Sequence, residues 1–396
     1  MLGLPSIPAS SLRPRDLRRG AVLTLAFLAA VATGALTGCW DQEDGAVAAE
    51  VRTDLPAPGA PRTAGTADRD AVARAAAEAV AEGKSGKKAA QDVVSRSGDR
   101  WGTVYDQGEY AAFAEGLDGH WTGVGVWAER APDGVIKVDK VQPGSPAARA
   151  GLRAGDRLMS VDGHAVTGLA VADVVSLLRG TAGTPVVLNL SRAGADLTET
   201  VRREQLRTEP VTVRQRPDGV TVIKVASFTR GSGERVKAAV RAAPAGAGVM
   251  LDLRGNPGGL VTEAVTAASA FLDGGLVATY DVRGDQRVLY AAPGGDTTRP
   301  LVALVDGGTM SAAELVTGAL QDRGRAVAVG SRTFGKGSVQ MPTELPDGSV
   351  AELTVGTYRT PAGRSLDGDG ITPDVPAGER AEERAVTVLG GLGVGP

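Results

Sequence analysis

Two apolar runs, each followed by a glycine turn and then a helical pattern, constrain the fold more than any other feature of the chain. The runs are GVMLDL at 248–253 and PLVALV at 300–305. Short runs of mainly apolar residues between turn residues are typical of buried strands. The pattern of strand, glycine turn and helix occurs twice. It predicts an α/β layered core whose functional loops lie at the strand ends.

The composition indicates several domains and argues against nucleic-acid binding. At 396 residues, 42% of them hydrophobic, the chain is long enough for two or three domains with real cores. A net charge of −3 and an aromatic content of 4% do not suit a nucleic-acid partner, which requires a basic face. The one cysteine, Cys39, excludes intramolecular disulfides and cysteine-based zinc sites.

Residues 1–38 have the layout of an export signal. Arginines precede an apolar run at 21–36, and small residues then lead to Cys39. The LTGC ending resembles a bacterial lipobox, which implies lipidation of Cys39. The alternative is an uncut anchor, although the run is short against the roughly 20 residues that a bilayer needs. We expect an outward-facing protein at a bacterial cytoplasmic membrane, or a secreted one, with a flexible tether at 39–66.

Residues 67–195 divide into a helical region and a strand-rich region. Ala-rich helical patterns fill 67–118, and we expect them to pack onto a later domain. From 119 to 195, alternation of apolar and polar residues predicts strands, with one helix at 170–178. GVGV at 123–126 and SPAARAGLRAGDRLMSVDG at 145–163 resemble a PDZ domain of the permuted kind found in bacterial proteases.

The PDZ resemblance implies a binding site for the free end of a peptide. Such a module adds its ligand as a strand at the sheet edge, and a glycine-containing turn offers N–H groups to the terminal carboxylate. In this chain the turn would be Val124, Gly125 and Val126. His164, in the turn VDGHAV, is expected to face solvent.

Residues 196–376 form a second α/β unit, and a polar tail at 377–396 ends the chain. Within this unit, Gly330, Gly335 and Lys336 follow the spacing of a phosphate-binding loop. Glycine, however, occupies position 337, where that loop needs a magnesium-binding hydroxyl, and a strand pattern follows instead of a helix. The loop therefore does not indicate a nucleotide site.

Two familiar serine-hydrolase patterns also fail. Residues 85–88, SGKK, satisfy the S-x-x-K of penicillin-binding enzymes, but they lie in a polar break and no SDN or KTG completes the set. The two histidines, His120 and His164, lie in or beside the PDZ-like region. A Ser-His-Asp arrangement therefore cannot be built in the second half of the chain.

Ser311 and Lys336 remain as a candidate nucleophile and base. Ser311 follows a buried strand and a glycine turn and opens a helix, a placement that exposes Oγ and directs the helix dipole at developing negative charge. Ser311 with Glu314 also matches a helix capping box, which is the simpler interpretation. Capping alone does not account for the glycine loop at 255–259 or for Lys336, and the two roles are compatible.

Three motifs behind a PDZ-like region resemble the C-terminal processing peptidases, a Ser-Lys protease family. They are DLRGNPGG, GGTMSAAELVTGALQD and TFGKGSVQ, in this order. The resemblance covers roughly 67–376 and implies a layered α/β core of the ClpP/crotonase-like kind, with an inserted PDZ domain and N-terminal helices. The family's nucleophile maps to Ser311 and its general base to Lys336.

The resemblance also assigns supporting residues around this pair. Gln340 matches the position that orients the lysine, and Glu314 and Asp322 match acidic positions with supporting roles. We expect no metal and no other cofactor.

Backbone N–H groups complete the implied machinery. The oxyanion hole would come from Ala312 together with the turn of Gly258 and Gly259. Two residues depart from the family pattern, because Asp306 and Met310 stand where many members carry Asn and Ala. Neither departure removes a catalytic group.

A lysine that acts as a base must be neutral. At an ordinary pKa of about 10.4, only about one lysine in 2,500 is neutral at pH 7. Lowering the pKa to about 7 costs roughly 4.6 kcal/mol, which burial supplies by disfavouring the charged form. Phe334 and Val339 are expected to give Lys336 apolar cover, and a glutamine partner binds the amine without adding an anion.

The sequence thus predicts an exported, membrane-tethered serine endopeptidase that cuts proteins near their C-termini. We expect protein or peptide partners bound through their C-termini, a membrane contact through the N-terminal lipid or anchor, and no nucleic acid. The rival hypothesis is a non-catalytic PDZ scaffold that binds peptide tails; a hydratase on a related layered fold would leave the PDZ-like region unexplained. The oligomeric state stays open, a homo-oligomer included.

Overall fold

The computed structural model describes residues 66–131, 134–169, 171–282 and 285–393. The export signal, Cys39 and the tether up to residue 65 lie outside these ranges, and the predictions made for them stay predictions. Within the described ranges, no helix is both long enough and apolar enough to pass through a bilayer.

The helices among these residues are α1 Arg69–Ala81, α2 Gly86–Ser97, α3 Gln107–Leu117, α4 Pro146–Arg149, α5 Val171–Leu178, α6 Ser232–Ala242, α7 Val261–Ala268, α8 Ala312–Asp322 and α9 Ala381–Gly391. The strands are β1 Thr103–Tyr105, β2 His120–Gly123, β3 Val126–Arg130, β4 Ile136–Val141, β5 Arg157–Val161, β6 His164–Ala165, β7 Pro185–Arg192, β8 Ala195–Arg202, β9 Glu204–Arg207, β10 Val211–Gln215, β11 Thr221–Val225, β12 Val249–Asp252, β13 Leu276–Val282, β14 Asp285–Tyr290, β15 Leu301–Val305, β16 Val327–Gly330, β17 Ser338–Glu344, β18 Val350–Arg359 and β19 Val375–Pro376.

The described residues form two compact units. The smaller contains 122–206, and the larger combines 66–121 with 207–393. β2 and β9, along which the chain passes from one unit to the other, pair with each other.

A six-stranded sheet in the order β10-β11-β12-β15-β16-β19 is the centre of the larger unit. All neighbours from β11 to β19 run parallel, and β10 adds an antiparallel edge. Alternate residues of the two apolar runs face opposite sides: Val249 and Leu251 join the cluster of α6, α7 and α8, whereas Met250 and Val302 join that of α9. The predicted α/β layered core is therefore confirmed.

The C-terminal segment is more ordered than expected. Residues 381–391, predicted to belong to a polar tail, form α9, which buries Ala381, Ala385 and Leu389 against the sheet. These residues recur every four positions and make one apolar stripe on a helix. The charged residues between them dominate the composition and hide that stripe in the sequence.

A second sheet joins the N-terminal region to the larger unit. Its strands run in the order β1-β18-β13-β14, and β17 pairs with β18. α1 and α2 pack on this sheet through Val72 and Val94, which share a cluster with Leu353 of β18. The predicted packing of the N-terminal helices onto a later part of the chain is therefore confirmed.

The stretch after α2 differs from the prediction that helix continues through it. Gly98, at φ +77°, ends α2 in the left-handed region. Residues 99–102 form a loop, and β1 then pairs with β18 from Thr103 opposite Glu352. The β-branched Thr103 and Val104 favour this extended pairing over helix.

The smaller unit is built on a sheet in the order β3-β4-β5-β7-β8, with β6 paired to β5. α5 packs on it through Val174 and Leu178. β8, which we expected at the start of the second α/β unit, is instead the second arm of a hairpin with β7. Ala193 and Gly194 make its turn, with φ values of +50° and +84°, and two successive positive φ angles are what a tight hairpin requires.

The predicted peptide-binding turn lies at the start of β3. The carbonyl oxygens of Val124 and Gly125 accept from the N–H groups of Ala147 and Gln142, each at 2.8 Å. Gly125 has φ +90°, and a Cβ there would lie 2.2 Å from that of Ser145. Only glycine therefore fits this turn. His164 is exposed, as predicted.

Candidate active site

Three glycine loops meet at one edge of the central sheet. They follow β12, β15 and β16, which are parallel neighbours, so their carboxyl ends lie side by side. Asp306 joins the first two loops, since its Oδ1 accepts from the N–H groups of Gly255 at 2.8 Å and Gly308 at 2.9 Å. Crevices at the carboxyl ends of parallel strands are the usual place for a functional site in such sheets.

Ser311 lies at the end of the second loop in a strained conformation. Its φ is +52°, a backbone angle that residues other than glycine rarely adopt. The residue is fully buried, and its Oγ has no hydrogen-bond partner among the described residues. A capping serine has an extended backbone, and its Oγ accepts a helix N–H. Ser311 does neither, so capping is not the role of its hydroxyl.

Glu314 connects the Ser311 turn to the Lys336 loop. Its Oε2 accepts from the N–H groups of Ser311 and Lys336, each at 2.9 Å. Its Oε1 accepts from the Gly335 N–H at 2.7 Å and from the Thr333 hydroxyl. Burial raises the pKa of this carboxyl, although the four hydrogen bonds lower it. Two main-chain nitrogens that share one oxygen must be close neighbours, so the loops of the candidate nucleophile and base are held together.

Lys336 is buried, with 4% of its surface exposed. Burial lowers its pKa to about 8, against the opposing charges of Glu352, Asp99 and Glu314. The chain approaches the lysine loop closely, because a Cβ on Gly337 would lie 2.3 Å from the Asp367 nitrogen. The loop therefore encloses the amine, and a larger fraction of it is neutral than in a lysine exposed to solvent.

The amine of Lys336 rests against an aromatic ring and makes no hydrogen bond to the Ser311 hydroxyl. Its Nζ lies 4.9 Å from the ring centroid of Trp101. Because Ser311 Oγ has no partner among the described residues, the hydrogen bond that general-base catalysis needs is not formed in this conformation. A role for Lys336 as the base of Ser311 would therefore need a hydrogen bond that this conformation does not contain.

Gln340 is buried on β17, opposite Thr354 of β18. Its Nε2 donates to the Ser338 hydroxyl at 2.7 Å and lies 3.5 Å from Thr354 Oγ1. The structure therefore places Gln340 in the same buried strand pair that follows the lysine loop.

Of the three predicted oxyanion donors, two are available in this conformation. The Gly258 N–H is occupied, since it donates to Asn256 Oδ1 at 2.8 Å. Neither Gly259 nor Ala312 uses its N–H within the described ranges. A Cβ on Gly258 would lie 3.0 Å from Ser311 Cβ and 3.1 Å from the Ala312 nitrogen, so glycine here lets the two loops touch.

Asp322 lies outside the site. It ends α8, ten residues and therefore about 15 Å from the start of that helix. Its carboxylate accepts from the Ala362 N–H at 2.8 Å and pairs with Arg364. These contacts anchor a loop. Met310, one of the two departures from the family pattern, is a fully buried core residue.

Sequence reasoning missed three residues around the lysine. Trp101, Asp99 and Glu352 surround Lys336, but none lies in a motif that is near it along the chain. Phe334, expected to cover the lysine, is 38% exposed and packs on Trp101 instead. Contacts with β18, which is distant in the sequence, bring Trp101 to this place, and no local pattern signals them.

Comparison with known proteins finds a peptidase family and a domain that match parts of this chain. Residues 219–377 match Peptidase family S41, and residues 137–192 match a PDZ domain. The chain is 34% identical over 284 residues to the carboxy-terminal processing protease CtpA of Bacillus subtilis, which covers 70% of this chain and 61% of the relative. It is 38% identical over 290 residues to the chloroplastic C-terminal processing peptidase of Tetradesmus obliquus, and that match covers 67% of this chain and 62% of the relative.

A solved structure of a photosystem II D1 C-terminal processing protease is similar in sequence and fold. The identity is 31%, the TM-score is 0.51, and the match covers 74% of this chain and 82% of that one. The chain spans about three fifths of the length of the curated relatives it matches.

Proposed function

Since the chain belongs to peptidase family S41, we propose that it is a serine endopeptidase that cuts protein substrates near their C-termini. The observation that carries the proposal is the state of Ser311, which is buried and strained and whose Oγ has no partner among the described residues. Glu314 holds it beside the Lys336 loop. A strained nucleophile that precedes a helix is a recurring arrangement in acyl-transfer enzymes.

The proposed reaction proceeds through an acyl-enzyme. Ser311 Oγ attacks the scissile carbonyl, and neutral Lys336 accepts the hydroxyl proton and gives it to the leaving amine. Water then hydrolyses the ester, with Lys336 again as base. The N–H groups of Gly259 and Ala312 stabilise the oxyanion, and Gln340 orients the amine when it turns towards Oγ.

The smaller unit is proposed to recognise the substrate. Its turn at 124–126 would bind the free carboxylate of a protein C-terminus, and the segment before that terminus would pair with the sheet edge. The curated relatives are named as proteases that process carboxy termini, which supports this choice of substrate class. The export signal and Cys39 support a location at the outer face of the cell membrane.

Proteolysis of a protein with an apolar C-terminal tail tests the proposal. Ser311→Ala and Lys336→Ala should each abolish cutting, whereas the exposed Ser365→Ala should cut like the wild type. Equal tail binding by all variants, without cutting by the wild type, would instead support the scaffold hypothesis. Undiminished cutting by Ser311→Ala and Lys336→Ala would contradict the Ser-Lys pair.

A further inference from the structure

Trp101 covers the amine of Lys336 from a distant part of the sequence. The Nζ lies 4.9 Å from its ring centroid, within the range in which a ring face attracts an ammonium. The same ring packs against Phe334, two residues before Lys336, at 5.8 Å and 59°. The Arg100 guanidinium also lies 5.3 Å from the ring. The indole therefore contacts both the lysine and its loop.

Asp99 fixes the position of this indole. Its Oδ1 accepts from the N–H groups of Trp101 at 3.1 Å and Gly102 at 2.9 Å. The same carboxylate accepts from Thr354 of β18, from the hydroxyl at 2.7 Å and from the N–H at 2.9 Å. Asp99 is only 7% exposed. A buried carboxylate with four donors holds 99–102 on the strand next to Gln340.

The charged groups that face Lys336 would keep it protonated. They are Glu352 of β18, Asp99 of the loop and Glu314 of α8, all carboxyls that favour the ammonium. Burial is the larger effect and opposes them. Glu352 is itself buried, at 5% exposed, and its Oε1 has no partner among the described residues. Burial lowers the pKa only while water is kept from the amine, and Trp101 places a large apolar ring against that amine.

We propose that Trp101 is a positioning residue of the Ser-Lys pair, which excludes water from the lysine pocket and holds the resting amine, and that Asp99 sets its place. This inference rests on the proposed function, because it gives the N-terminal region a part in that chemistry. Trp101 is not proposed to contact the substrate.

Replacement of the indole tests the inference through the pH profile. Trp101→Ala in the full chain should admit water and move the acid limb of kcat/KM by about one pH unit or more towards the ordinary lysine value. Trp101→Phe and Trp101→Leu keep apolar cover and should stay near the wild type. Asp99→Asn, which keeps the shape but weakens four hydrogen bonds, should shift the limb in the same direction by less.

The control is a second tryptophan with a lysine beside it. Lys140 Nζ lies 5.2 Å from the ring of Trp127, in the smaller unit, and Trp127→Ala should leave the acid limb where it is. Competitive acetylation of Lys336, measured by mass spectrometry across pH, reports the pKa of the lysine directly. It should show the same shift, and it does not depend on proteolysis. A wild type that never cuts would defeat the proposed function while this readout still tests Trp101.

Two results would overturn the inference. An unchanged acid limb and unchanged acetylation profile in Trp101→Ala would show that the indole does not control the lysine. A Trp101→Leu profile shifted as far as that of Trp101→Ala would show that water exclusion is not its role. Thermal melting of each variant establishes that the compared proteins are folded.

Discussion

At the residue scale, the site depends on two side chains held in unfavourable states. Ser311 keeps a positive φ and a buried hydroxyl that has no partner in the described part of the chain, and Lys336 keeps an amine away from water. Both conditions cost folding free energy, and in the proposed function both serve the reaction. Substitutions that relieve them should therefore stabilise the protein and inactivate it, as is common at active sites.

For Ser311, we expect stability to rise in the order wild type, Ser311→Ala, Ser311→Gly. Alanine removes the unpartnered hydroxyl, and glycine also tolerates φ +52°, which contributes about 1 kcal/mol more. Urea unfolding measures the three free energies. A glycine variant less stable than the wild type would show that the backbone there is not strained.

For Lys336, burial of the amine makes the stability of the protein depend on pH. Its pKa is about 8 in the folded protein and higher in the unfolded chain, so the unfolded state binds more protons and stability rises with pH between the two values. Lys336→Met should therefore add roughly 2–3 kcal/mol to the free energy of unfolding at pH 7 and much less at pH 10. Burial also raises the pKa of Glu352 to about 8, so the removal of Lys336 leaves this neighbouring carboxyl mostly uncharged at neutral pH.

Urea titrations at the two pH values provide the measurement. The exposed Lys88→Met serves as the matched control and should change stability little at either pH. A Lys336→Met variant whose gain is the same at pH 7 and pH 10 would contradict the lowered pKa.

At the element scale, the glycine loops meet because β12, β15 and β16 are parallel neighbours. The loop of Gly258 lies against the Ser311 turn, and this contact sets the positions of the proposed oxyanion donors. Gly258 and Gly255 both have positive φ, but only at Gly258 would a Cβ meet the Ser311 turn. Gly258→Ala should thus lower kcat/KM by about 100-fold or more, the scale of a lost oxyanion donor.

Gly255→Ala is the matched control for this prediction. Its Cβ would have open space around it, so it costs backbone strain alone and should keep activity within about tenfold. Peptide-cleavage kinetics separate the two variants. Equal losses in both would show that strain, and not the contact between loops, sets the rate.

Much of this arrangement could be predicted from the sequence because its signals are local. The apolar runs, glycine turns and helical patterns from 248 to 340 predict the strands, the loops and the two candidate catalytic residues. The rest depends on distant pairing. Trp101 and Glu352 reach the lysine only through β1 and β18, and the apolar stripe of α9 lies between charged residues. The sequence of β8 predicts a strand but does not show that this strand pairs with β7.

At the scale of the whole molecule, the N-terminal region and the second half of the chain make one compact unit around the 122–206 insertion. The ends of the insertion meet within the larger unit, because the Thr208 N–H donates to the Gly119 carbonyl at 2.9 Å. We expect excision of 122–206, with a short glycine linker in its place, to leave a cooperative thermal transition and to weaken binding of free C-terminal peptides.

Removal of 66–105 is the contrasting truncation. It takes away β1, the packing of α1 and α2, and the Asp99 hydrogen bonds to β18, so it should abolish the cooperative transition. Calorimetry compares the two truncated chains. A stable chain without 66–105 would show that the N-terminal region is an independent appendage.

The central claim is that Ser311 is a nucleophile activated by the neutral amine of Lys336. Its most direct test is the rate at which a fluorophosphonate labels the protein, measured across pH, with the modified residue located by mass spectrometry. The account predicts a single adduct on Ser311, with a rate that rises through about pH 8 and is lost in Lys336→Met. Labelling of Ser311 at the same rate in Lys336→Met, or no labelling of Ser311 at any pH, would contradict it.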